Sequence, residues 1–252
     1  MTVYLQGALW IGLACLGSAL LLLLLRRGAD QGHRKDMNDV NGLIFAIVGV
    51  LYAIVVGFVV TSQWQNVGSA RDAGQREANG LVRVYWAAQQ LPADQRASVQ
   101  TLCRQYATVV RDQEWPAMRR ADPAGPRGQA LLDQLARTAH ASGTPAAQVG
   151  SLDDALNTVY AGRQQRLDLA GQSLSGMMWF VMVAGGLFTV ALTYLFGVAG
   201  RTAHLVMVVS LVGTIGLLLY ASYQLQYPFG PATDLGPDGM VSALRLFGAP
   251  AR

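Results

Sequence analysis

Hydrophobic residues in this chain gather in four runs that contain no Asp, Glu, Lys or Arg: Met1 to Leu25, Val40 to Ala70, Leu169 to Gly200 and Thr202 to Thr233. Each exceeds the roughly 20 residues with which a helix crosses the hydrocarbon layer of a bilayer. They predict membrane helices over about 4–25, 41–62, 177–198 and 203–223. Asn38 and Asp39 precede the second, and side chains of that kind accept hydrogen bonds from the free N–H groups of a helix start. The first run has no basic segment ahead of it. Arg26 and Arg27 follow its apolar core, so it is expected to stay on the protein as a helix rather than act as a cleaved leader.

Residues 63–172 are polar by comparison and carry a spacing of three and four, with no strand-like alternation. Leu81, Val82, Tyr85 and Trp86 share one helical face, and Val99, Leu102, Cys103, Tyr106, Val109 and Val110 share another. Pro92 and Pro116 are expected to break the pattern, and Asp122, Pro123, Gly125, Pro126 and Gly128 to form a loop. A third helix is expected around Gln129 to His140, ending near Ser142, Gly143 and Pro145. A fourth starts near Ser151 and continues through Leu156, Val159, Tyr160, Leu167 and Leu174. The first and last of these are expected to extend membrane helices two and three, which makes the segment a stalk-like bundle. Residues 226–252 read as a turn-rich tail, in which Met240 to Phe247 alone suits a short helix. The fold class is therefore all-α: a polytopic membrane protein with four transmembrane helices (in 1–62 and 173–225) and a helical extramembrane domain over 63–172.

Composition agrees. Hydrophobic types make up 52% and charged types 13%, the latter about half the share usual in a soluble domain. The net charge of +4 is too small and too dispersed to imply a nucleic-acid partner. Lys35 is the sole lysine, a bias that suggests a GC-rich bacterial coding sequence and hence a multi-pass protein of a bacterial inner membrane. Arg26, Arg27, Arg34 and Lys35 crowd the first loop. Basic loops stay inside, so residues 63–172 are expected on the outer side.

Catalytic signatures fail one by one. There is no phosphate-cradling glycine loop, no paired zinc histidines and no nucleophile elbow. His33, His140 and His204 fall in three separate regions, with His204 expected as an anchor at a membrane helix end. Asp153 and Asp154 are adjacent, so on a helix they point about 100° apart. Cys15 and Cys103 suggest neither a disulfide framework nor a zinc site. An enzyme is not expected, nor a cofactor. The membrane runs also lack the Asp, Glu or Lys that pumps and ion-coupled transporters place at membrane depth.

Helix two is the most informative of the four. Gly42, Ala46, Gly49, Ala53 and Gly57 form one stripe of small side chains, and such stripes let helices approach closely in lipid. Beside it lies a bulky face of Val48, Leu51, Val55 and Phe58. The stripe reads either as ordinary helix packing or as the centre of an oligomer, in which stripe or bulky face lines a narrow path with an apolar constriction.

The ordered set Asn41-Gly42, Phe45-Ala46, Gly49-Val50-Leu51-Tyr52-Ala53, Gly57-Phe58-Val59-Val60 and Trp64 resembles the second membrane helix of the bacterial and plant bestrophin-like proteins, a four-helix family. Matches continue through Glu77-Ala78, Leu81 with Tyr85, Leu91-Pro92, Tyr106 with Val109-Val110, Glu114-Trp115, Arg163 with Arg166-Leu167, Tyr194-Leu195-Phe196-Gly197 and Pro228-Phe229. The chain departs from the pattern at Gln226 and Tyr227, where relatives carry an acid and a base. The resemblance implies a link to bestrophins, pentameric anion channels with mostly helical subunits. It points to a homo-oligomer in the lipid bilayer that passes small anions. The alternative is a membrane-anchored interaction or sensing protein whose extramembrane helices bind a partner.

Overall fold

A computed structural model describes residues 2–26, 38–140, 146–194 and 201–248, with side chains over 5–24, 42–140, 150–194 and 202–248. Its elements are all helical among these residues. They are α1 (Thr2–Arg26), α2 (Asn38–Ala87), a 3-10 turn (Ala88–Gln90), α3 (Ala93–Val109), a π-helical turn (Val110–Glu114), α4 (Trp115–Arg119), α5 (Arg127–Ala139), α6 (Ala146–Gly171), α7 (Gly176–Thr193), α8 (Arg201–Leu225) and α9 (Asp238–Leu246). Four helices are long and apolar enough to span a bilayer: α1, the first half of α2, α7 and α8. The all-α, four-span reading of the sequence is what the structure shows. Arg27, His33, Arg34 and Lys35, the expected end of the third bundle helix at 142–145, and Leu195 to Gly197 lie outside the described residues.

The chain forms two compact units. One comprises residues 1–63 with 173–226, the other 64–172 with 227–252.

In the first unit α1 and α8 run antiparallel, and small residues on each receive large ones from the other. Gly7 lies against the Tyr220 ring, Gly216 against Ile11 at 3.3 Å and Gly213 near Cys15 at 3.7 Å from where a Cβ would stand. On α7, Gly185 and Gly186 receive Tyr52 of α2, and Gly186 also receives Ile215 of α8. Packing of this kind substitutes in lipid for the hydrophobic effect, which cannot distinguish a neighbouring helix from an acyl chain. Ser18 and Tyr194 share a hydroxyl contact of 2.5 Å between α1 and the end of α7.

The second unit has a water-excluding core. Leu81 and Val84 of α2, Tyr106 of α3, Leu132 and Leu135 of α5, Leu152 and Val159 of α6 and Leu244 of α9 are all fully buried. The face expected on α3, from Val99 to Val110, is buried throughout. Residues 227–248 join this core. Phe229 meets the edge of Trp115 at 5.3 Å, Trp115 Nε1 donates to the Leu235 carbonyl at 3.1 Å, and Phe247 stacks on Tyr85 at 4.2 Å. Arg104 donates to the carbonyl of Phe247 at 3.1 Å, satisfying the exposed end of α9.

Three local expectations change. Pro116 does not break the helical path. The π turn before it lets Trp115 N–H reach back to the Val110 carbonyl, and the widened turn accommodates the proline at the start of α4. Helix α6 stops at Gly171 and does not run into α7, which starts afresh after Ser175, whose hydroxyl accepts from Met178 N–H at 3.3 Å. Trp86 is 48% exposed because Tyr85 occupies the inward position and the next residue turns about 100° away.

Helices α2 and α6 come close enough that a side chain would not fit between them. A Cβ on Gly162 would stand 2.6 Å from the Glu77 backbone nitrogen, and one on Gly80 would stand 2.9 Å from the Val159 nitrogen. Gly162→Ala should therefore lower the unfolding midpoint in detergent, at a cost of about 1–3 kcal/mol. Gly68→Ala, on an exposed part of α2 with open space around it, should leave the midpoint unchanged or raise it, by up to about 1 kcal/mol. Equal midpoints for the two variants would mean that the helices separate at no cost.

Candidate functional site: the outward face of α2 and the charge cluster behind it

The membrane half of α2 buries one face and leaves the rest uncovered. Tyr52, Val56, Val59 and Gln63 face the subunit, with Val56 and Gln63 almost fully buried. Of the small-residue stripe, Ala46, Ala53 and Gly57 are exposed and Gly42 and Gly49 half-buried. A Cβ added at Gly49 or Gly57 would meet nothing within 4 Å, unlike the glycines that Tyr52 and Tyr220 fill elsewhere in the unit. Of the bulky face, Val48 is half-buried, while Leu51, Val55 and Phe58 are exposed, Phe58 at 73%. Both candidate surfaces thus point away from the subunit's own helices.

The polar half of α2 is held from behind by a cluster that the sequence does not announce. Glu77 of α2, Tyr106 of α3, Glu114 of the π turn and Arg163 and Arg166 of α6 are all buried. Arg166 grips Glu77 with two hydrogen bonds, Nε to Oε2 at 2.6 Å and Nη2 to Oε1 at 3.0 Å, and Nη2 also reaches Glu114 at 2.8 Å. Arg163 grips Glu114 with two bonds of 2.8 Å and donates from Nε to Gln129 at 3.2 Å. The Tyr106 hydroxyl donates to Glu77 at 2.5 Å. Arg166 Nη1 ends on the Met118 sulfur at 3.4 Å, with its guanidinium 5.7 Å from the Trp115 ring centre. Gly128 leaves the room: a side chain there would collide with Glu114.

Two arginines against two glutamates make the cluster neutral, and every polar atom in it has a partner. It offers no free group to a ligand and no reactive one to a substrate. Burial opposes charge on Glu114, but the hydrogen bond from Arg163 and the charges of Arg166 and Arg163 outweigh it and hold the carboxyl below its ordinary range. Burial likewise opposes charge on Arg166, and the Glu77 carboxylate overcomes it, so the guanidinium pKa is raised. Burial and the Glu77 charge push the Tyr106 phenol well above its usual value.

Elsewhere the ionisable candidates scatter. His140 pairs with Asp153 at 3.0 Å, both part-exposed. His204 is buried at the start of α8, 3.0 Å from the Thr193 carbonyl, an acceptor only, so Nε2 carries the proton. Gln226 accepts from Trp179 Nε1 at 3.2 Å. Among the described residues no three His, Cys, Asp or Glu converge on one point. The signal for the missed cluster was present as charges on apolar faces. Glu77 shares its helical face with Ala70, Ala73, Leu81 and Val84, and Arg166 shares its own with Val159 and Leu169. A charge in such company needs a buried partner.

A family model described as a Bestrophin-like domain matches residues 12–239. Three solved structures, each described only as a crystal structure of a membrane protein in a variant form, share the fold. The first is 13% identical with a TM-score of 0.71, covering 93% of this chain and 97% of the other. The second is 14% identical with a TM-score of 0.70, covering 94% and 98%. The third is 13% identical with a TM-score of 0.69, covering 95% and 99%. No curated protein matches the chain.

Glu114→Gln should cost about 3–5 kcal/mol, since it strands two buried guanidinium groups, and pairing it with Arg163→Met should recover part of the loss. The pH dependence has a fixed sign. The folded-state pKa of Glu114 is depressed, so its contribution is complete above the unfolded value of about 4.3 and is lost as pH falls through the lower folded value. Between about pH 5 and pH 3 the wild-type unfolding midpoint should fall more steeply than that of Glu114→Gln. Parallel curves would show that Glu114 is not held ionised by the arginines.

Proposed function

The chain belongs to the Bestrophin-like family, and on that premise we propose that it assembles as a homo-oligomer around α2 and conducts small ions, anions foremost, through the shared path. The observation that carries the reading is the uncovered stripe of α2, with open space at Gly49 and Gly57, whereas Gly7, Gly185, Gly186 and Gly216 of the same unit are filled from within the subunit. In lipid, a small-residue face is where a second backbone gains most by approaching. Val55 and Phe58 then supply a ring of apolar side chains, which resists wetting and can act as a gate. Nothing charged is needed at membrane depth, because repeated subunits build the path from apolar and backbone groups.

Liposomes reconstituted with the full chain test it. Wild type should pass chloride faster than potassium and run as an oligomer in detergent. Phe58→Ala should raise flux several-fold by widening and hydrating the ring. Phe180→Ala, equally exposed on α7, should leave flux unchanged. If neither wild type nor Phe58→Ala exceeds protein-free controls while folded and oligomeric, conduction gives way to the interaction or sensing role.

The four basic residues of the first loop support our further reading that residues 63–172 lie on the outer side of a bacterial inner membrane. In a Cys103→Ser background, a cysteine at Ala124 should react in intact cells with a thiol reagent that does not cross the inner membrane. Labelling only after lysis reverses the orientation of all four spans.

A further inference from the structure

The membrane unit contains a wedge that its own side chains leave unfilled. Helices α1 and α7 are pinned together by the Ser18–Tyr194 hydroxyl contact of 2.5 Å, and both rest on α8, through Ile11 against Gly216 and Gly186 against Ile215. Between them, with α8 as the floor, lies a cavity of about 640 Å³. Gly17 and Leu21 of α1 and Leu187 and Ala191 of α7 form its walls, and Val212 and Leu219 of α8 form its floor. Among the described residues that line it, Ser18 and Tyr194 alone are polar, and they bond to one another. Water finds too few partners in such a space, while an empty one forfeits the dispersion contacts of every wall atom.

The cavity continues toward the start of α1 and the end of α8. Ala14, Gly216 and Leu219 border both it and a second cavity of about 440 Å³. There the lining turns polar and aromatic, with Gln6 and Trp10 of α1 and Tyr220, Tyr223 and Gln224 of α8. Gln6 and Gln224 each stand one residue inside the end of an apolar span, at the level where Trp and Tyr gather in membrane proteins. Trp179 of α7 approaches Tyr223 at 6.3 Å on the same rim. Among the described residues no Asp, Glu, Lys or Arg lines either cavity.

We propose that the two cavities are one binding site for a membrane phospholipid, with an acyl chain in the wedge and the glycerol ester region at the mouth between Gln6 and Gln224. The lining changes along its depth as an amphiphile does, from amides and aromatic rings to aliphatic side chains. The length fits as well. From Trp10 to Leu21 α1 rises about 17 Å, close to the roughly 15 Å that one leaflet contributes to the hydrocarbon layer. At the mouth the Gln6 and Gln224 amides and the Trp10 indole bring N–H donors, and ester carbonyls are acceptors without a donor of their own. With no charge in the lining, the site reads the chain and the ester region and is indifferent to headgroup charge. It involves neither α2 nor conduction.

The test reconstitutes the full chain in liposomes with a trace of phospholipid that carries a photoactivatable group on its acyl chain, and maps the adducts by peptide mass spectrometry. Adducts should gather on Leu21, Leu187 and Ala191, several-fold over Leu13, Leu16 and Phe188, which are exposed in the same unit outside the site. A Cβ at Gly17 would meet nothing within 4 Å. Gly17→Leu therefore fills the wedge without a clash, and should lower the wedge adducts several-fold at an unchanged unfolding midpoint. Gly12→Leu, with the same open space but outside both cavities, should leave them as in wild type. If Gly17→Leu does not fold, Ala191→Leu fills the wedge from the opposite wall and carries the same expectation at Leu21 and Leu187. Liposomes rich in phosphatidylethanolamine or in phosphatidylglycerol should give one pattern. Adducts spread evenly over these positions, or unmoved by the filling variants, would mean that lipid only bathes the surface, and would overturn the site. A pattern that follows headgroup charge overturns it too, since the lining has no charge with which to read one.

Discussion

The bidentate grip of Arg166 on Glu77 is the interaction on which the rest of the structure turns. Glu77 sits on α2 about 200° around the helix from Asn79, so the buried pair fixes the rotation of the helix about its own axis within the second unit. What the half of α2 in that unit presents outward is set from behind. Apolar packing alone would hold a helix against its neighbours but tolerates small rotations, because dispersion contacts are many, weak and non-directional. A fork-to-carboxylate pair tolerates few, because both hydrogen bonds need the planes aligned. Tyr106, Glu114 and Arg163 extend the constraint from α6 to α3 and the π turn, so four segments are tied into one register. The cost of burying four charges is met by complete pairing, and Gly80, Gly128 and Gly162 supply the close approach that pairing requires.

How much of this the sequence disclosed depends on the range over which each feature acts. Membrane spans, helix faces and the short α9 are legible because they are written in residues three, four or twenty positions apart. The cluster is not. Glu77 and Arg166 are separated by 89 positions, Glu114 and Arg166 by 52, and Glu77 and Tyr106 by 29, and no local period links them. Each of these residues did stand out in the family resemblance, one at a time, as Glu77-Ala78, Tyr106, Glu114-Trp115 and Arg163 with Arg166. What was missing was the pairing, which only the fold supplies. The local errors have local causes. A proline looks like a break unless a π turn precedes it, and the gap between α6 and α7 is marked by no proline, only by Gly171 and the capping Ser175.

The two units are held together in different ways. The second has a core of Leu, Val, Trp and Phe side chains, of the kind that water drives inward, with charges admitted to it only in pairs. In the membrane unit the exposed surface is as apolar as the interior, and shape decides instead: Tyr52 into Gly185 and Gly186, Tyr220 against Gly7, Ile11 against Gly216. The stripe of α2 belongs to this second logic but has no knob to receive within the subunit. It is the same signal that, on α7 and α8, is already answered.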